Sequence, residues 1–153
     1  MSVAARGVSE VRHMDDCIFC QIVAGEVPSH TVYEDESAYA FLDVNPLARG
    51  HTVVIPREHY RRLGEMPGDV AGELFRAVNE LAPAVEAAVG APASTVAFNN
   101  GEKAGQEVPH THCHVIPRFV DDGAGAVHSL FADAGDLSDG EMSDLADEIR
   151  TER

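Results

Sequence analysis

Three histidines at alternate positions, His110-Thr111-His112-Cys113-His114, are the densest concentration of chemistry in this sequence. On a strand, residues two apart share a face, so the imidazoles line one side while Thr111, Cys113 and Val115 point the other way, into a core. Imidazole titrates nearer neutrality than any other side chain, so such a row can attack an electrophile, relay protons or bind metal. A purely structural row is disfavoured, because desolvating three imidazoles costs free energy unless each finds a partner. On the strand alone, the nucleophilic and metal-binding readings both stay open.

Two further segments carry chemistry. Residues 99–109 (NNGEKAGQEVP) form a polar loop in which Gly101 and Gly105 permit conformations that aim successive N–H groups at one anion. Beside a nucleophilic imidazole, such a loop suits a phosphate ester. Near the start, Cys17-Ile18-Phe19-Cys20 spaces two thiols so that they could share a metal, with two histidines completing a tetrahedral site. A pair of buried thiols in a reducing cytosol is the competing reading.

These groups must be held by elements legible in the hydrophobic pattern. Residues 18–24 read as one or two helical turns closed by Gly25. Residues 30–34 and 38–43 alternate as strands about a polar turn, and the β-branched 52–55 reads as a buried strand. Asp69 is expected to cap a long helix over 69–90, with the stripe Val70, Leu74, Val78, Leu81, Val85 and Val89, kinked at Pro83. Residues 94–99 and 111–116 are further strands. Ser138 and Glu141 form a capping-box pair opening a final helix to about Arg150. Strands joined mostly by hairpins, plus one long helix and short ones, predict an α+β fold with an antiparallel sheet. The expected organisation is a flexible leader over 1–14, one domain over 15–120, and an acidic extension with a short helix over 121–153.

The chain has 153 residues and a net charge of −15, with ten arginines and one lysine. That field argues against nucleic-acid binding, which requires basic patches. It fits either a well-solvated surface or a salt-rich cytoplasm that screens self-repulsion. Three cysteines are too few for a secreted cross-linked framework. No membrane span and no signal-peptide run is visible, so a cytoplasmic location is expected.

Taken together, the loop 99–109, the histidine row followed by Val115-Ile116-Pro117-Arg118, Cys17-Ile18-Phe19-Cys20, residues 40–46 (AFLDVNP) and residues 50–56 (GHTVVIP) closely resemble the histidine triad (HIT) family in its prokaryotic, Hint-like branch. The resemblance implies a HIT-like dimer that binds a purine nucleotide and cleaves its α-phosphate linkage. His112 would be the nucleophile, forming a covalent nucleotidyl-histidine; its other ring nitrogen would donate to a main-chain carbonyl near the third histidine. His114 would face the leaving group, and His110 and His51 would back the nucleophile. Asn99 and the backbone of Gly105, Glu107 and Val108 would cradle the phosphate, with Gln106 near the leaving group. Asp43 would take the ribose hydroxyls, and Phe19, Ile22, Phe41 and Val44 would wall the base. In family members that bind zinc, the matching ligands are Cys17, Cys20, His51 and His110. His13, His30, His59 and His128 match no motif. A nucleotide-binding regulatory module, a dinucleoside polyphosphate hydrolase and a nucleotidyltransferase are the alternative functions; His114, where transferases typically carry glutamine, favours hydrolysis.

Overall fold

Along strand β2 (Ala38–Leu42), Ala38 and Ala40 enter one core while Tyr39 and Phe41 enter another. The period of two thus assigns the small side chains to the face that a helix must approach closely and the aromatic ones to the opposite face. The computed structural model describes residues 13–133 and 135–153; most of the expected leader lies outside the described residues. The sheet also contains β1 (Thr31–Glu34), β3 (Thr52–Pro56), β4 (Ala93–Phe98) and β5 (Cys113–Arg118), in the order β1-β2-β3-β5-β4. Every neighbouring pair is antiparallel.

Helices cover the two faces. Helix α2 (Gly68–Val89) lays Leu74, Ala77, Val78, Leu81 and Val85 on Ala38, Ala40, Val54, Cys113 and Val115. Burying each large aliphatic side chain contributes about 1.5–3 kcal/mol. Helix α1 (Ile18–Val23) buries Phe19, Cys20 and Ile22 on the other face, with Tyr39, Phe41, Val53 and Ile55.

Asp69 does not cap α2. Pro67 holds the N-cap position without a side-chain bond, and Asp69 lies in the first turn, where its charge complements the exposed N–H groups. The helix continues through Pro83 and ends at Gly90, whose φ of 69° is the left-handed cap conformation.

Among the described residues, those from His13 to Asp122 form one unit and Gly123–Arg153 a second. In the second, helix α3 (Asp139–Glu152) starts at Ser138 with both bonds of the expected capping box and extends two residues beyond Arg150. Among the described residues, no helix is long and apolar enough to cross a membrane.

Candidate functional site

The histidine row is only partly strand. β5 begins at Cys113, so His110 and His112 precede it, correcting the expected strand over 111–116. The cause is local hydrogen bonding. The Thr111 N–H and Oγ1 both donate to the Tyr60 carbonyl, at 2.6 and 2.8 Å, which draws this stretch off the ladder with β3. The sidedness nevertheless persists: Cys113 and Val115 lie in the core beneath α2. The His110 and His112 imidazoles face α1, with the Phe19 ring edge-on to them at 5.8 and 5.1 Å.

His112 is 7% exposed, and its Nδ1 lies 2.8 Å from the His110 carbonyl. An imidazole nitrogen facing a carbonyl must carry the proton, so Nε2 keeps the lone pair. The acceptor therefore belongs to the first histidine of the row, not to a residue near the third. Burial holds His112 below the ordinary histidine range, partly offset by that bond, and favours the neutral ring.

At the His110 end, Cys17, Cys20, His59 and His110 bring their donor atoms within 4.8 Å of one another. The His110 Nδ1 lies 3.5 Å from Cys17 Sγ and 3.6 Å from Cys20 Sγ, and His59 Nδ1 lies 3.5 Å from Cys20 Sγ. A tetrahedral zinc with bonds of about 2.0–2.3 Å separates its ligands by about 3.3–3.8 Å, so the set fits. The His110 Nε2 faces the Pro56 carbonyl at 2.8 Å, which puts the proton there and leaves Nδ1 as a ligand. Cys20 Sγ also accepts from the Met14 N–H at 3.5 Å. Burial pushes the Cys20 thiol up to about 11 and His110 down to about 4.

This corrects the expected ligand set: His51 is not beside the cysteines, and His59, which received no role, is. β3 separates His51 at its start from Pro56 at its end by about 13–17 Å. His51 therefore lies at the opposite end of the row, with its Nε2 2.9 Å from His114 Nδ1 and 3.6 Å from Asp43 Oδ2. Asp43, His51 and His114 also converge within 4.8 Å, but they do not fit a cation. The Leu47 N–H donates to His51 Nδ1 at 3.0 Å, which leaves the proton on Nε2 where a metal would need a lone pair.

The loop expected to cradle a phosphate spends part of its hydrogen-bonding capacity on itself. The Gly105 N–H donates to the Glu102 carbonyl at 2.9 Å, while among the described residues the Glu107 and Val108 N–H groups have no protein acceptor. The Gln106 amide braces the loop, accepting from Gly101 N–H at 2.7 Å and donating to the Arg61 and Val108 carbonyls at 2.7 and 3.0 Å. Asn99 follows β4, and its Cγ would lie 3.9 Å from a Cβ placed on Gly105. Phe19, Ile22 and Phe41 are buried together, whereas Val44 is 78% exposed.

Residues 24–121 match the HIT domain, and the chain belongs to that family. It is 45% identical to protein hit of Bacillus subtilis over 78% of this chain and 83% of the relative. An adenylylsulfatase of Arabidopsis thaliana is 40% identical over 76% of this chain and 59% of its own. The adenosine 5'-monophosphoramidase of Saccharomyces cerevisiae is 38% identical over 67% and 62%. Among solved structures, a protein of Streptococcus mutans superimposes with a TM-score of 0.82 at 40% identity, covering 92% of this chain and 87% of that one. A zinc-bound histidine triad protein of Mycobacterium smegmatis gives 0.68 at 36% identity, covering 72% and 80%.

Proposed function

We propose that the protein hydrolyses the α-phosphate linkage of a purine nucleotide conjugate, with His112 Nε2 as nucleophile. The observation that carries this reading is the 2.8 Å bond from His112 Nδ1 to the His110 carbonyl, which leaves a neutral, oriented lone pair on Nε2. Its relatives named as an adenylylsulfatase and an adenosine 5'-monophosphoramidase support the substrate class.

In the first step the Nε2–phosphorus bond forms as the bond to the leaving group breaks, and the leaving group takes the electron pair and a solvent proton. Water then attacks phosphorus, the Nε2–phosphorus bond breaks, and the surplus proton returns to solvent. The net change is nucleotide conjugate plus water to monophosphate plus protonated leaving group. The Glu107 and Val108 N–H groups bind the phosphoryl oxygens, and Asp43 takes the ribose hydroxyls. Phe19, Ile22 and Phe41 back the base. Cys17, Cys20, His59 and His110 would hold a zinc ion, which supplies a structural cross-link between α1, the segment after β3 and the histidine row.

Adenosine 5'-phosphoramidate with wild type and His112→Ala tests the reading. Release of AMP is expected from the wild type, with a loss of about 10³-fold or more in the variant while nucleotide binding persists. Substantial turnover by His112→Ala removes His112 as nucleophile; AMP binding by the wild type without turnover makes the protein a regulatory module.

The same reading makes it a cytoplasmic homodimer joined through α2 and the β4 edge. There Val96 and Phe75 are 43% and 49% exposed, and the Phe75 and Phe98 rings lie 5.6 Å apart. An open apolar edge invites strand pairing. Sedimentation is expected to show a dimer, and Val96→Lys a monomer; a monomeric wild type overturns it.

A further inference from the structure

We propose that the main-chain N–H of Leu47 is a positioning group of the site: through His51 it fixes His114 as the tautomer that carries its proton on Nε2. The kinetic consequence rests on the hydrolase reading above; the tautomers do not.

The argument follows three contacts. The Leu47 N–H donates to His51 Nδ1 at 3.0 Å. A main-chain amide has no lone pair to offer, so His51 Nδ1 is an acceptor and its proton sits on Nε2. His51 Nε2 lies 2.9 Å from His114 Nδ1, so that nitrogen also accepts, and the single proton of neutral His114 is left on Nε2. Reversing the pair would set two N–H groups against each other at Leu47.

The loop is built to hold that amide still. The Asp43 N–H donates to the His51 carbonyl at 2.9 Å and the His51 N–H to the Ala48 carbonyl at 3.0 Å. Asp43 Oδ1 accepts from the Asn45 N–H at 2.8 Å. Gly50 closes the loop at φ +92°, where an added Cβ would lie 2.8 Å from Val89 Cγ1. The Leu47 side chain is 76% exposed, so its backbone, not its packing, is what the site uses.

The consequence is a division of labour between the two imidazoles facing the phosphorus. His112 presents a lone pair at Nε2 and His114 an N–H. Neutral His114 cannot release its only proton without becoming an imidazolate, and His51 cannot replace it, since its Nδ1 is occupied by the Leu47 N–H. His114 is therefore a fixed hydrogen-bond donor to charge developing on the phosphoryl or leaving-group oxygen, not a proton relay.

The test is long-range proton–nitrogen correlation NMR on protein labelled with ¹⁵N-histidine, near neutral pH. Wild type and Leu47→Ala, which keeps the N–H, are expected to show His51 and His114 both protonated on Nε2. Leu47→Pro, which lacks the N–H, is expected to lose the single His51 tautomer and to lower kcat about tenfold or more with KM little changed. A wild-type spectrum with the proton on Nδ1 of either histidine overturns the proposal, as does a folded Leu47→Pro that keeps both tautomers. If Leu47→Pro does not fold, the wild-type spectrum decides alone. The expected tautomers in a protein that turns nothing over would sink the hydrolase reading and leave the positioning role standing.

Discussion

At one end of the histidine row, His110 turns a lone pair toward two thiols because the Pro56 carbonyl holds its Nε2–H. At the other, His51 turns an N–H toward His114 because the Leu47 amide occupies its Nδ1. Both rings are buried, at 0% and 2% exposure, and both are held below the ordinary histidine range by that burial. Burial therefore does not distinguish a metal ligand from a donor arm. The main-chain group on the far side of each ring does: a carbonyl leaves a lone pair free on the near side, and an amide leaves an N–H there.

The largest expected effect tests that distinction directly. Metal analysis of freshly isolated protein should find one zinc per chain in the wild type and in His51→Ala, and none in His59→Ala. At a free zinc level about a thousand times Kd, the bound ion stabilises by about 4 kcal/mol, so chelation should lower Tm by about 10 °C or more. Zinc retained by His59→Ala, or lost from His51→Ala, would reverse the assignment of the two ends.

A smaller effect comes from pH. Burial, with the neighbouring His112 and His51, pushes His114 down to about 4 from an ordinary 6.5. Between those values the unfolded chain binds a proton that the folded one refuses, so stability present above pH 6.5 is lost as pH falls toward 4. Thermal melts should show Tm falling across that window, and His114→Asn should flatten the fall. An unchanged slope in that variant would assign the acid sensitivity elsewhere.

The smallest effect belongs to a region outside both ends. Ser138→Ala removes the cap of α3 and should cost about 1 kcal/mol locally, read as faster amide exchange in the first turn of Asp139–Glu152. Metal content and histidine tautomers should not move. Were either to change, the second unit would be coupled to the site.

The sequence carried most of the scaffold because its signals are local. Alternation marked β1 and β2, a β-branched run marked β3, spacing marked the buried stripe of α2, and Ser138 with Glu141 marked the start of α3. The row 110–114 was legible as a face but not as a backbone, because Thr111 is drawn to Tyr60 by bonds that no pattern of polarity announces. His59 was missed for a related reason. Its partnership with Cys20 depends on β3 carrying the chain to the end of the sheet where His110 also arrives. Counting strand rise would have found it: His51 and His59 flank β3 on opposite ends, so only one of them can meet the cysteines. The loop itself uses the Gln106 side chain and the Gly105 N–H, bonds that the glycine spacing does not announce.

Phe19 stands edge-on to His110 and His112 at once, tilted 76° and 84° from their ring planes, in a chain that contains no tryptophan. Phe19→Trp would thus install a single tryptophan, excitable apart from the three tyrosines, between the proposed zinc corner and the proposed nucleophile. Its emission would change in one time regime as metal exchanges at His110, and in another as His112 gains and loses a nucleotidyl group, so one optical trace would separate the two events without any labelled substrate.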